Sequence, residues 1–198
     1  MTKDRRTALL DAAIEQIAAK GVRGMRVGEV ARSAGVSPAL IYHHFGDRAT
    51  LLQSALIHIG ERADEYTGSN GANARARLIA MLSDEFQDDA DIRANSTAWG
   101  ELRDTAIFNE SLRPTIKDLT QRWIDDIAEL INLGAQDGSI APNLDGQDLG
   151  AQLTALAEGL SSRWLADMIT TDQARQHLAA AVEALVRDMP GEGPRPKS

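Results

Sequence analysis

Val27-Gly28-Glu29-Val30-Ala31-Arg32-Ser33-Ala34-Gly35-Val36-Ser37-Pro38-Ala39-Leu40-Ile41-Tyr42-His43-His44-Phe45 is the stretch that decides the fold. It reads as two short helices, one over 27–34 and one opening at Ser37-Pro38, joined by a tight turn at Ala34-Gly35-Val36. Serine is a favoured cap, and proline suits the first helical position because its missing N–H is not needed there. Gly35 can take the positive φ that a sharp turn demands. Ala31 is small where the two helices cross, and Val30, Val36 and Ile41 are spaced to form a small core beneath both. Two short helices joined by a glycine-containing turn are the helix-turn-helix signature.

Working outward, helical periodicity continues in both directions. Leu10, Ile14 and Ile17 recur at i, i+4, i+7 within a helix over 3–20 that Gly21 stops. Gly46-Asp47 ends the second motif helix and caps a fourth over 48–66. Five more are expected, over 72–88, 91–106, 110–137, 146–169 and 172–188. Strand signals are nearly absent, so the expected fold class is all-α: an N-terminal three-helix helix-turn-helix domain over 1–46 and a C-terminal helical bundle over 47–189. The tail 190–198, with three prolines and two glycines in nine residues, reads as disordered.

Composition narrows the function. Hydrophobic residues make up 43% of the 198, too many for a wholly disordered chain. No apolar run approaches the ~20 residues that span a bilayer, and no apolar segment follows the charged N-terminus as in a secretory signal, so a cytoplasmic protein is expected. There is no cysteine, which excludes disulfides and thiolate metal sites. Nothing fits an enzyme: there is no nucleophile–base motif, no phosphate-binding glycine loop and no HExxH, and nothing requires a cofactor. The net charge of −8 argues against a nucleic-acid partner until its distribution is considered. Residues 1–50 hold eight basic and five acidic side chains, +3; the rest hold thirteen and twenty-four, −11. A basic head on an acidic body implies that only the head meets an anionic partner.

Glu29-Val30-Ala31 through Gly35-Val36-Ser37, then Leu40-Ile41-Tyr42-His43-His44-Phe45 and Leu51-Leu52, with Gly21 and Gly24 before them, resemble the TetR (tetracycline-repressor-type) family of transcriptional regulators. The resemblance covers residues 5–55. A slighter likeness around Trp123, Gly138 and Gly159-Leu160 is to the betaine-regulator branch of that family. The resemblance implies that Ser37, Pro38, Ala39, Leu40 and His43 face base edges in the DNA major groove, and that Tyr42, His44 and Arg48 contact phosphate. It also marks the start of the second helix, Arg26 and Gly28, as DNA-contacting. There the family often carries a threonine that caps the helix and touches phosphate; here Arg26 could supply a charged contact, but the cap is lost. Ala39 and Leu40 are suited to thymine methyl groups and His43 to a base acceptor.

The resemblance further implies a small-molecule effector pocket between helices four and eight, for which Phe86, Trp99, Leu102, Arg103, Trp123, Ile127 and Trp164 are the candidates, with Glu101 and Gln121 nearby. Core packing is the plainer reading of each aromatic alone. It also implies a homodimer through helices eight and nine, for which Leu149, Gln152, Leu153, Leu156, Leu160, Leu178, Ala181, Val182 and Leu185 are the candidates. Ala151, Ala155 and Gly159 add a small-residue face where another helix could come close. A two-fold dimer demands a pseudo-palindromic operator. The expected function is therefore a ligand-responsive repressor, released from DNA when the effector shifts helix four. The alternative is a helical interaction adaptor with degenerate DNA binding, for which the net charge is the best argument.

Two features carry plainer readings. His43-His44 are adjacent on a helix and point about 100° apart, so one metal ion is not expected between them; His58 and His177 read as surface or hydrogen-bonded helix residues. The acidic run Asp84-Glu85-Phe86-Gln87-Asp88-Asp89-Ala90-Asp91 reads as a solvated helix end.

Overall fold

The computed structural model describes residues 5–67 and 70–187. The chain is all-α, and the described residues contain nine α-helices and no strand. They are α1 Arg5–Gly24, α2 Val27–Ser33, α3 Pro38–Phe45, α4 Arg48–Tyr66, α5 Ala74–Ser83, α6 Ala90–Ala106, α7 Arg113–Asp137, α8 Gly146–Leu165 and α9 Thr171–Leu185, with a 3-10 turn at Glu110–Leu112 before α7. None of the described helices is long and apolar enough to cross a membrane. The expected tail at 190–198 lies outside the described residues.

Local chemistry sets most helix starts. Asp47, Asn73, Asp89 and Asp145 each place a side-chain oxygen on the first free amides of α4, α5, α6 and α8. Thr170 and Gln173 form a reciprocal capping box at α9. The motif helices differ. Arg26 stands at the cap of α2 and makes no side-chain capping bond, as expected from the missing threonine. Ser37 occupies the cap of α3, but its hydroxyl does not cap either; the Leu40 amide bonds the Ser37 carbonyl instead, at 3.0 Å. Gly35, at φ 67°, makes the turn between them.

Three boundaries depart from the periodicity. Gly21 (φ 69°, ψ 166°) kinks α1 rather than ending it, and a last turn continues to Gly24. The helix expected over 72–88 stops at Ser83, because Arg175 from α9 takes the Ser83 and Phe86 carbonyls, at 3.3 and 2.8 Å. The next chain turn then buries Phe86 completely. Helix α8 stops at Leu165, just before Asp167 takes a positive φ of 54°.

Two apolar clusters fill the interior. The first joins Leu9, Leu10, Ala13, Ile14 and Ile17 of α1 to Val30, Ala31, Ile41 and Phe45 of the motif, to Leu51, Leu52, Ala55, Leu56 and Ile59 of α4, and to Ala98, Leu102 and Ala106 of α6. The second is built from α5, α7, α8 and α9 around Phe86, Ile127, Leu153, Trp164 and Leu178. Helices α4 and α6 thus belong by packing to the head, and α6 packs on α1 along much of its length. Their outer ends still reach the second bundle, and the space between the two clusters holds the cavity described below.

Candidate functional site

The motif is seated by its buried side. Val30, Ala31, Ile41 and Phe45 are almost wholly buried, with Val27, Ala34 and Val36 packed against them. What remains of α3 points outward. Of the ten residues expected at DNA, Arg26, Gly28, Ser37, Pro38, Ala39, Tyr42, His43, His44 and Arg48 are exposed, and Leu40 is half-buried. Tyr42 keeps half of its surface free. The His43 and His44 rings meet edge to face, 5.7 Å between centroids. Among the described residues no three His, Cys, Asp or Glu side chains are placed to hold a metal ion.

Arg48 has a second occupation that the sequence did not reveal: its Nη2 donates to the Val22 carbonyl at the α1 kink. Arg6, also missed, lies 5.3 Å from the Phe45 ring centroid and 3.4 Å from the Ser54 hydroxyl, tying α1 to α3 and α4. His58 is buried and fully engaged: Nε2 lies 3.0 Å from Asp11 Oδ1 and Nδ1 3.3 Å from Glu61 Oε2. It bolts α4 to α1.

Between the two clusters lies a partly open cavity of about 120 Å³. Helix α4 contributes Ile59, Gly60, Ala63, Asp64 and Tyr66; α6 contributes Asn95, Ser96 and Trp99; α7 contributes Leu119, Arg122, Trp123 and Asp126; α8 contributes Ala157, Glu158 and Ser161. Met81 and Glu85 close the α5 side. Four carboxylates and one guanidinium therefore line walls that are otherwise largely aromatic and aliphatic. Arg122 pairs with Asp64 at 3.3 Å, both half exposed at the rim. Glu158 accepts from Trp99 Nε1 at 3.2 Å and pairs with Arg103 at 3.3 Å. Asn95 donates from one nitrogen to the Ile59 carbonyl and to the Tyr66 hydroxyl, at 3.1 and 3.2 Å.

The electrostatics follow from that lining. Removal from water, then the charges of Asp64 and Asp84, push the Glu85 carboxyl up to about 7, against a hydrogen bond from Tyr66 that favours its ionised form. Burial, then the Asp64 charge, also raises Asp126. Burial and the charge of Glu85 raise the Tyr66 phenol, which stays neutral. Such a site favours an incoming positive charge.

Of the seven residues expected in the pocket, the structure brings Trp99 and Trp123 to the cavity wall. Arg103 stands behind it, on Glu158. Phe86, Leu102 and Ile127 are core residues with no exposed surface and do not line the cavity. Trp164 is buried elsewhere, edge-on to Phe86, under the Arg93 guanidinium and donating to Thr171. Of the neighbouring polar residues, Glu101 bonds the Val22 amide at 3.1 Å, and Gln121 bonds Asp125 and Gln147 on the surface. The acidic run is divided among three tasks: Glu85 faces the cavity, Asp88 accepts from the Thr171 hydroxyl, and Asp89 caps α6. A charge next to a fully apolar residue, Glu85-Phe86, was the one available sign that this run was not all solvated.

The expected dimer residues also divide. Leu149, Leu153, Leu160, Leu178 and Val182 are buried inside the protomer, while Gln152 is exposed and Leu156, Ala181 and Leu185 are half-buried. The small face of α8, Ala151, Ala155 and Gly159, is exposed, with open space around Gly159.

A helix-turn-helix head joined to a helical bundle, nine α-helices among the described residues, with a cavity between the two apolar clusters, is the architecture of a helix-turn-helix transcriptional regulator. Comparison agrees in both halves. Residues 9–55 match the model of bacterial regulatory proteins of the tetR family, and residues 74–187 match the C-terminal domain of BetI-type transcriptional repressors. The chain belongs to the TetR family of transcriptional regulators, with a BetI-type C-terminal domain. It is 30% identical over 162 residues to the HTH-type transcriptional regulator BetI of Rhizobium meliloti (strain 1021), covering 80% of this chain and 77% of that one. A crystal structure of a TetR-family regulator from Rhodococcus sp. superposes with a TM-score of 0.87 at 43% identity, covering 92% and 98% of the two chains. A regulator from Saccharomonospora viridis, solved in complex with choline, gives 0.78 at 27% identity, covering 90% and 95%.

Proposed function

We propose that this chain is a homodimeric repressor that leaves its operator when a small organic cation, of the quaternary ammonium class, fills the α4–α8 cavity. The cavity carries the reading: Trp99, Trp123 and Tyr66 supply aromatic faces, and Asp64, Glu85, Asp126 and Glu158 supply negative charge. Aromatic faces and carboxylates together are the general recognition chemistry of a cation that cannot donate hydrogen bonds. The choline complex of the Saccharomonospora viridis regulator supports it.

The head binds DNA with α3 in the major groove. Ser37, Pro38, Ala39, Leu40 and His43 meet base edges, and Arg26, Gly28, Tyr42, His44 and Arg48 meet the backbone, where contacts fix register rather than read sequence. The exposed Ala151, Ala155 and Gly159 face of α8, with Gln152, Leu156, Ala181 and Leu185 beside it, pairs with its copy in a second protomer. Two recognition helices then lie about 34–36 Å apart on a pseudo-palindromic site. Helix α4 begins at Arg48 and ends in the cavity wall, so a ligand that displaces Asp64 from Arg122 acts on the element that seats α3. The ligand releases DNA only through its different affinity for the two positions of α4.

Gel shift with the DNA upstream of the protein's own gene tests this. Binding should fall steeply with salt, collapse in Tyr42→Ala plus Arg48→Ala, and weaken with added choline. Unchanged binding in the double variant overturns the site assignment, and indifference to both choline and tetramethylammonium overturns the cationic effector.

A further inference from the structure

Four carboxylates line one cavity whose walls are otherwise largely apolar, and two of them are already answered. Asp64 has Arg122, and Glu158 has Arg103 and the Trp99 indole. Glu85 lies just past the end of α5, beside the hydroxyl of Tyr66 and near enough to Asp64 to feel its charge. The charged and titratable groups around it are Asp64 and Tyr66 from α4, Asp84 beside it in the chain, Arg122 and Asp126 from α7 and Glu158 from α8; Arg62, which also acts on Tyr66, is drawn toward Asp11. From α6 come the neutral Asn95, Ser96 and Trp99. Adding a fourth negative charge to this ring is unfavourable while the cavity is empty and favourable once a cation occupies it.

We propose that Glu85 is the residue by which the cavity selects a positively charged effector, and that it enters the complex as a carboxylate by giving up a proton it holds in the empty cavity. The inference rests on the cationic-effector reading above. The step is balanced without a co-reactant: the carboxylic O–H bond breaks, the proton passes to water through the open rim, and the carboxylate stays opposite the ligand's charge. Binding and proton release are then one event. A neutral molecule of the same shape gains nothing from Glu85, because it gives the carboxyl no reason to ionise. The empty-cavity value of about 7 places the effect in the neutral range. The bound form favours the ionised acid, so affinity rises with pH through that value and levels off above it.

Isothermal titration of the full-length protein with choline chloride, at pH 6, 7 and 8 in phosphate and in the zwitterionic buffer MOPS, tests the linkage. Buffers of different ionisation heat count the protons directly. The expected result is release of nearly one proton at pH 6, about half at pH 7 and almost none at pH 8, with affinity about tenfold tighter at pH 8 than at pH 6. In Glu85→Gln, the shape of the protonated acid, choline should bind weakly at every pH and release no proton. Its preference over the neutral 3,3-dimethylbutan-1-ol should shrink at least tenfold. Choline binding without proton release in the wild-type protein, or a pH profile retained in Glu85→Gln, overturns the inference and leaves the cationic reading intact. Absence of binding by both choline and tetramethylammonium at every pH overturns the cationic reading, and the inference with it.

Discussion

The Glu101 carboxylate on α6 accepts the backbone amide of Val22 on α1 at 3.1 Å, directly at the kink that Gly21 makes. On the other side of the same residue, the Val22 carbonyl accepts from Arg48 at the start of α4. A break in a helix leaves amides and carbonyls without their usual partners, and here one residue has both of its groups met by side chains of the two helices that continue into the second bundle. Val22 is itself buried, so neither group can turn to water instead.

Glu101→Ala leaves that amide buried and unmet, and should cost about 1–3 kcal/mol in urea unfolding. Gly21→Ala should also destabilise, since φ is 69° and an added Cβ would stand 2.8 Å from Glu101 Oε2. Because the two substitutions share one carboxylate, the double variant should lose less than the sum; additive losses would mean that the clash at Glu101 is relieved elsewhere.

Asp47 begins α4 by accepting from the Thr50 amide at 2.7 Å, and that bond holds its carboxyl below the ordinary value of 3.8. A lowered folded value means that the stabilisation is present above the unfolded value and is lost as pH falls through the folded one. The melting temperature of Asp47→Ala should therefore lie below wild type at pH 7, and the two should converge in strong acid. A constant gap down to pH 2 would remove the cap from the account.

Phe86→Ala and Trp123→Ala should separate core from cavity. Phe86 is wholly buried against Trp164, and its loss should cost roughly 3–5 kcal/mol while choline affinity at a temperature where the protein is folded changes little. Trp123 lines the cavity, and its loss should weaken choline at least tenfold with a smaller effect on stability. Calorimetry paired with thermal melts reads both.

Gly159→Arg and Ala155→Glu place charge on the exposed face of α8, where the protomer has room for it. Sedimentation should show monomers at concentrations where wild type is dimeric. Leu153→Ala, deep in the second cluster, should instead destabilise the protomer by about 2–5 kcal/mol. A dimer that tolerates both charges uses another surface.

The head was legible because its information is local. Gly35, Ala31, Pro38 and the Val30–Ile41 spacing each constrain neighbours within a few residues, and the structure places them as that spacing requires. The cavity is assembled otherwise. Asp64, Glu85, Asn95, Arg122 and Glu158 are scattered over most of a hundred residues, and only tertiary packing of α4, α6, α7 and α8 brings them together. Aromatic character alone did not separate Trp99 and Trp123, which lie in the cavity wall, from Phe86 and Trp164, which lie in the core, since an indole or phenyl ring satisfies a core as readily as a ligand. A leucine stripe is equally silent on α8: Leu149, Leu153 and Leu160 are buried inside the protomer, and the small residues between them face out.

The placement of the three tryptophans has an optical consequence. Trp99 and Trp123 stand in the cavity wall, whereas Trp164 is enclosed by Phe86, Arg93 and Thr171 and does not touch that space. A ligand bound there should change the emission of two indoles over a constant background from the third. A choline titration should therefore be readable in the protein's own fluorescence, with no dye or label, and Trp123→Phe should remove part of that change.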